Sequence, residues 1–400
     1  MRRLNLRQRP DRGAVAMIVA IMLGTMTSLA IAALTVDVGT MSVERRQLQN
    51  GADAAAQSAV IECATTGTCP DVTNPSDLKM LRLASLANLN AGTDGATSIS
   101  RIDGNYAVCG AGKPELRNCV IVLGGQLRDC PTLNPPPAQY VRVYTQTQHA
   151  GGNTILPSGF AEAVTGSSAG TRHQACAAYA WGTPESFTIV APLAFSLCDY
   201  EAMITTDGYA DPPPYTNPIP ASISSHETAI VVNDPGQTTD SNNCTRWAGH
   251  ILPGGFGYLD PDGGCSPSLS AGDWVKAKPG ESVPNTCKPV FDGVFTHSVW
   301  DRQIMYIPVF DCVSDQTKVC PKKAGGNDTY FRIKGLAAFY ITGSNLPSYN
   351  SGPLTNTPRT ACPGGKKCLF GWFTQATLKD TAGTIGSVTG YGVNIIKAVG

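Results

Sequence analysis

"AVAMIVAIMLGTMTSLAIAALTV", residues 14–36, carries no charged side chain, and seven residues beyond it "VERRQLQNGADAAAQSA", residues 43–59, sets seven small side chains among charges and amides. At about 1.5 Å of rise per residue the first stretch makes a helix of roughly 34 Å. A hydrocarbon core of about 30 Å is within that reach. Upstream stand Arg2, Arg3, Arg7, Arg9 and Arg12 against the single acid Asp11. The bias of basic residues toward the cytoplasm therefore predicts an inner tail over residues 1–12 and an outward location for everything beyond the span. A removed signal peptide has an apolar core of about 7 to 15 residues with a small-residue cleavage site close behind. The longer run here predicts a retained anchor.

The second stretch predicts that the helix continues out of the membrane. Val38, Met41, Arg45, Leu48, Ala52, Ala55 and Ala59 follow a 3-4 spacing, which lays them along one side of a helix. That side is apolar except at Arg45, so the packing face is read as Val38, Met41, Leu48, Ala52, Ala55 and Ala59. Gly39 and Gly51 each cost about 1 kcal/mol relative to alanine in a helix interior. Close neighbours must compensate, and small residues let another element approach.

Fourteen cysteines in 400 residues fit an oxidising compartment better than a reducing cytosol. No two have the C-x-x-C spacing of zinc ribbons or thioredoxin-like sites. The disulfide candidates are Cys63, Cys69, Cys109, Cys119, Cys176, Cys198, Cys244, Cys265, Cys312, Cys320, Cys362 and Cys368. Cys63 with Cys69, Cys312 with Cys320 and Cys362 with Cys368 are close enough in sequence to close small loops. Connectivity stays open at this level.

The formal net charge is zero. Because the arginines concentrate at the N-terminus, the remainder is mildly acidic. It has no long Lys/Arg stripe to neutralise phosphates, which argues against nucleic acid as a partner. With 42 glycines, 29 prolines and only 15% charged residues, the composition favours loop-rich β structure over a helical bundle. Ser76 before "DLKMLRLASLANLN" predicts a second, short helix with Leu78, Leu81, Leu86 and Leu89 as its apolar positions. From Tyr106 the pattern turns to short β runs. In "YVRVYTQTQ", residues 140–148, Val141, Val143, Thr145 and Thr147 alternate with Tyr140, Arg142, Tyr144 and Gln146. The second half strings together "FTIVAPLAF", "IMYIPVF", "LAAFYIT" and "LFGWFTQATL" between Gly, Pro and Asn, a punctuation that predicts a β sandwich or irregular sheet.

The expected fold is therefore α+β, a long N-terminal transmembrane and amphipathic helix followed by a disulfide-rich, mainly antiparallel β region outside the membrane. The organisation reads as a basic tail over 1–12, the helix over 13–62, a helix-plus-sheet region over 63–182 and a Gly/Pro- and Cys-rich β module over 183–400. A soft boundary falls near Thr183 and Pro184.

No residue set reads as catalytic and no cofactor is implied. "GSSAG", residues 166–170, satisfies G-x-S-x-G around Ser168, but no buried strand run leads into it as a nucleophile elbow requires. His149, His173, His226, His250 and His297 stand singly, without the spacing that brings two imidazoles onto one metal. Asp260 and Asp262 in "DPDGG" are the calcium candidates. Neither a third alternate acid nor a closing bidentate glutamate follows them, so a plain turn competes.

The stretch from Arg12 to Val60 resembles the N-terminal module of TadE/TadG-like proteins of Flp (tight adherence) pilus assembly. The resemblance is carried by the Arg-Gly start, the apolar span, "VDVG" at its outer end and "ERRQLQNGADAAA" beyond. It implies an anchor within a pilus-assembly system, with other pilus-assembly or pilin-like membrane proteins and membrane lipid as partners. Pilin-type substrates of the prepilin peptidase usually have glutamate five residues after the processing glycine, whereas counting from Gly13 that position is Ile18. The resemblance thus implies a retained membrane protein more than a processed subunit, with Asp37 as an interfacial cap at the outer edge of the span.

Two classes of function are left. One is a non-enzymatic, membrane-anchored structural or assembly component of a tight-adherence pilus or related secretion apparatus. The other is a membrane-tethered exported enzyme or ligand-binding protein using the same anchor. A processed minor pilin is a variant of the first.

Overall fold

The structure, a computed structural model, describes residues 12–90, 96–97, 101–102, 104–120, 133–134, 136–148, 173–189, 192–212, 226–231, 256–260, 265, 267–278, 283, 285–295, 304–320, 329–350, 361–378, 384–386 and 390–399. The chain divides into two compact units. One takes residues 1–59, 70–179 and 398–400, the other 60–69 and 180–397.

Helix α1, Arg12–Thr66, is one uninterrupted element of 55 residues, about 82 Å long at the usual rise. It contains no proline, and it is the one helix among the described residues long and apolar enough to cross a membrane. From Val15 to Ala32 it buries nothing, and Met17, Met22, Met26, Leu29 and Ile31 are all exposed. Polar side chains inside that half bond to their own backbone: the Thr27 hydroxyl donates to the Leu23 carbonyl at 2.8 Å and Ser28 to that of Gly24 at 2.7 Å. Such bonds leave no polar side chain reaching for water within the span. At the far end Gly67 takes a φ of 72°, a left-handed conformation that ends a helix without Cβ strain. The Cys63–Cys69 disulfide ties the chain back immediately after it.

The first unit adds helix α2, Leu78–Leu89, and strands β1 (Ala96–Thr97), β2 (Arg101–Ile102), β3 (Asn105–Tyr106), β4 (Val108–Ala111) and β5 (Tyr140–Gln148), together with most of β6 (Gln174–Gly182). Asp77 caps α2 by accepting from the Lys79 backbone N–H. The cap expected at Ser76 is thus one residue late, on the side chain that offers a carboxylate. The buried side of α2 is Met80, Leu83 and Ala87, while Leu78, Leu81 and Leu89 face outward. The leucine periodicity in the sequence marks the opposite side of the helix from the packed one. β5 pairs antiparallel with both β1 and β4, and β6 lies beside it.

The second unit runs through β7 (Ser186–Thr188), β8 (Leu193–Ser196), α3 (Leu197–Asp207), β9 (Thr228–Val231), β10 (Phe256–Leu259), β11 (Ser268–Ser270), β12 (Trp274–Lys278), α4 (Lys288–Phe295), β13 (Ile304–Ser314), β14 (Tyr330–Leu346), β15 (Tyr349–Asn350), β16 (Cys368–Thr374), β17 (Ala376–Leu378) and β18 (Val393–Ala398). Its large sheet has the order β12-β10-β8-β13-β14-β16-β9, and β12 also pairs with β14. That extra ladder closes β8, β10, β12, β14 and β13 into a ring. Closure gives those five strands neighbours on both sides, while β16 and β9 extend from β14 outside the ring. The 17-residue β14 makes this possible. Tyr330 to Arg332 pair with both β12 and β13, and the stretch beyond serves β13 and β16. A sandwich or irregular sheet was expected from the punctuated apolar runs. Runs that short do not reveal which strand pairs twice.

Aromatic rings fill this core. Phe195 meets Phe339 edge-on at 5.0 Å and Phe373 at 5.5 Å, and Phe310 stacks on Phe331 at 4.2 Å. Each such pair adds about 0.5–1.5 kcal/mol beyond its buried area. Disulfides Cys265–Cys287, Cys312–Cys320 and Cys362–Cys368 staple the unit. Cys109–Cys119 does so in the first.

Candidate functional site

The side chains that couple the anchor to a folded body lie along one side of α1. From Leu48 the seam runs through Ala52, Ala55, Ala56 and Ala59, none more than 1% exposed. Alanines at these positions let backbones come within touching range. Gly51 marks the tightest point, where a Cβ would stand 3.0 Å from the Ala87 carbonyl oxygen of α2. The glycine that weakens the helix on propensity is the one that admits its neighbour.

Polar bonds fix the register of the helix on β5 and β6. The Thr145 hydroxyl donates to the Leu48 carbonyl at 2.9 Å, and Gln49 Nε2 donates to the Cys176 carbonyl at 3.0 Å. Nearer the apolar span, the Thr147 hydroxyl donates to Glu44 Oε1 at 2.6 Å. Thr145 and Thr147 share a face of β5 with Val141 and Val143, and all four are buried. The alternation of that strand is what aims the two hydroxyls at the helix.

Here the seam departs from the expected packing face. Val38 is 53% exposed and Arg45 is exposed, whereas Asp37 and Glu44 are buried at 5% and 6%. Met41 is half-buried. At this end the packed side is rotated by one residue, about 100° around the axis. A short carboxylate can accept the Thr147 hydroxyl within the seam, while the long Arg45 side chain keeps its charge in water. Asp37 is accordingly not a cap open at the membrane edge but a buried acid, two turns below Glu44 on the same side. Sequence periodicity missed both acids because a 3-4 repeat of apolar residues weighs Val38 above Asp37.

His173, just ahead of β6, has its pKa lowered. Burial is the main cause, opposed by the Glu44 carboxylate and reinforced by the Arg45 guanidinium. Tyr179 is pushed up by burial and by the negative charge of Asp53.

The second unit holds polar groups of its own. The carboxylate of Asp311 accepts from Arg332 Nε at 2.8 Å and Nη2 at 2.9 Å. The Thr342 hydroxyl donates to the buried Glu227. Tyr200 and Tyr209 are bonded through their hydroxyls, and burial raises the pKa of both, as it does for Tyr391. All three phenols stay protonated, Tyr200 and Tyr209 as a hydrogen-bonded pair and Tyr391 with its ring edge-on to that of Tyr200. A recess lined by Ile102, Tyr106, Val120 and Tyr144 holds about 20 Å³, room for one water and not for a substrate.

Asp260 is exposed, its backbone N–H donating to the Lys276 carbonyl at 2.8 Å, and Asp262 lies outside the described residues. No group of three or more His, Cys, Asp or Glu is arranged to hold a metal among the described residues. His226 is half-buried at the entry to β9. Ser168, His149, His250, His297, Cys130 and Cys244 lie outside the described residues. Cys287, absent from the candidate cysteines above, is the partner of Cys265. Cys176 and Cys198 are oxidised as well, and no free cysteine is present among the described residues.

No curated protein and no solved structure matches the chain. Residues 13–62 match the family described as putative Flp pilus-assembly TadE/G-like. The match begins beside the first residue of α1 and ends one residue before Cys63, so it covers both the exposed apolar span and the buried seam. The likeness to the TadE/G-like family is thus carried by the N-terminal helix, over residues 13–62.

Proposed function

We propose that the protein is a non-enzymatic, single-pass membrane component that anchors or organises a tight-adherence pilus or a related secretion apparatus. Its tail would lie in the cytoplasm and both folded units outside. The observation that carries this reading is the family match over 13–62, borne by a helix whose exposed apolar half runs straight into a packed one. Residues Arg2 to Arg12 support the orientation through the cytoplasmic bias of basic flanks. The cystines support it too, since such bonds persist outside a reducing cytosol.

Affinity purification of a C-terminally tagged full chain from gently solubilised membranes tests the role. Other pilus-assembly membrane proteins should be retained, and loss of all of them at every detergent strength that keeps the chain folded would remove the assembly reading. Protease shaving of spheroplasts tests the orientation separately. The C-terminal half should be digested while the N-terminal peptide survives.

A further inference from the structure

The outward side of α1 stays apolar past the end of the uncharged run. Val36, Val38 and Val43 are exposed. The hydroxyls among them bond to their own helix, Thr40 donating to the Asp37 carbonyl at 2.8 Å and Ser42 to that of Val38 at 2.9 Å. Thr27 and Ser28 do the same farther down. Both acids of this stretch are turned in: Asp37 and Glu44 are buried, and Glu44 accepts from Thr147. From Val15 to Val43 the helix covers about 42 Å. A bilayer with both headgroup layers is about 40–45 Å thick.

Arg45 and Arg46 follow at once, both exposed, and they are the first basic residues after Arg12. Side chains of a helix lean toward its N-terminus and lie over the preceding turn, so both reach back along Met41 to Val43, toward the apolar span. Neither has a carboxylate three or four residues away, the spacing at which a helix pairs its own charges. Asp53, half-buried, stands two turns beyond Arg46. Arg45 is near enough to His173 to help lower its pKa, a neighbour that adds no negative charge. The outward side from Val15 to Arg46 thus presents two positive charges and no negative one. A soluble acidic ligand would answer the arginines and leave the valines in water, while a purely apolar helix would answer the valines and leave the arginines without a counter-charge. A phospholipid answers both in one molecule, with acyl chain for the valines and a phosphate that a guanidinium can grip with two N–H groups.

We propose that Val36 to Arg46 is an interfacial binding surface for anionic glycerophospholipid, with Arg45 and Arg46 paired to headgroup phosphates and Val36, Val38 and Val43 set among the upper acyl chains. This deepens the anchoring reading and rests on it: α1 would stay in lipid as far as Val43, and the fold that covers Asp37 and Glu44 would stand on the headgroup layer and not on a stalk. The test uses the full chain with the photo-crosslinker benzoylphenylalanine in place of Val43, in vesicles of equal phosphatidylglycerol and phosphatidylcholine, with adducts identified by mass spectrometry. Phospholipid should be captured at position 43. Phosphatidylglycerol should be favoured by about five-fold or more, the scale set by one or two basic residues at an anionic surface, and the preference should shrink as salt is raised. Arg45→Gln/Arg46→Gln should bring it near parity, and Arg45→Lys/Arg46→Lys should keep most of it. A second chain with the crosslinker in place of Leu23 reads the anchor by itself. Lipid captured at 23 with none at 43, or capture of another copy of the chain at 43, overturns the proposal and leaves the anchor standing. No lipid at either position removes the anchor and the proposal with it. An unchanged preference in the glutamine variant, shown to be folded by wild-type resistance to limited proteolysis, also overturns the proposal. Should that variant be cleaved, Arg46→Gln alone provides the reading, with a smaller loss of preference expected and an unchanged preference again fatal.

Discussion

Thr147 places its hydroxyl 2.6 Å from the carboxylate of Glu44, joining β5 to α1 at a point where both side chains are out of solvent. Replacing Thr147 with valine keeps the shape and removes the donor. A buried acceptor left without its partner costs about 1–3 kcal/mol. Thr147→Val should therefore lower the denaturant midpoint of the first unit, and Thr147→Ser should restore most of it. Equal midpoints for valine and threonine would show that the bond contributes nothing.

His173 predicts a pH dependence. Its folded pKa is depressed below the ordinary 6.5, so in the window beneath 6.5 the unfolded chain takes up a proton that the folded chain resists. Stability then rises with pH through that window and is lost as pH falls. Urea midpoints measured near pH 7.5 and 5.5 should drop more for the wild type than for His173→Gln. A drop of the same size in both would assign the dependence to other groups.

A Cβ at Gly51 would stand only 3.0 Å from the Ala87 carbonyl oxygen. Gly51→Leu should force α2 away and destabilise the unit by about 1–3 kcal/mol, the usual cost of overpacking. In Gly51→Ala a helix-propensity gain of about 1 kcal/mol opposes the tighter contact, so a near-neutral result is expected. Amide hydrogen exchange in α2 reads both, and unchanged protection in Gly51→Leu would deny that the helices cross there.

Ala55 and Ala59 are fully buried while Gln57, between them, is exposed. Aspartate at 55 or 59 buries a carboxylate with no provided partner, at a cost of several kcal/mol. At 57 it meets water. Limited proteolysis of the three variants should show rapid cleavage for the first two and wild-type resistance for Gln57→Asp, and uniform resistance would contradict the seam.

Cys265 and Cys287 close a loop spanning 22 residues, for which chain entropy suggests about 3 kcal/mol of stabilisation. Serine at both positions should lower the thermal midpoint of the second unit. Peptide mapping without reduction should recover the two cysteines of the wild type in one linked fragment.

How much of this was legible in the sequence depends on which physical signal carried each element. The apolar run and the alanine repeat mark α1 directly, because uncharged length and 3-4 spacing are properties of a single segment. β5 is equally readable, since its alternation decides which residues face the helix. Local pattern fails where the partner is distant. Glu44 is buried because Thr147 waits for it, and nothing within residues 37–48 announces a strand about a hundred positions away. The outward leucines of α2 mislead for the same reason: Ala87 is buried by the fit at Gly51, not by its hydrophobicity. The ring closed by β12 and β14 rests on pairing between a five-residue strand and the first residues of a 17-residue one, and no single strand advertises two neighbours.

The unbroken course of α1 has a mechanical consequence. From Arg12 to Thr66 there is no proline and no change of helix type, so the exposed apolar part and the part packed along the seam form one continuous helix without a break. A load applied to the body cannot be absorbed by a swinging tether. It passes along the helix axis as pull or as torque, and the bonds of Thr145 and Gln49 to the helix are the rivets that transmit it.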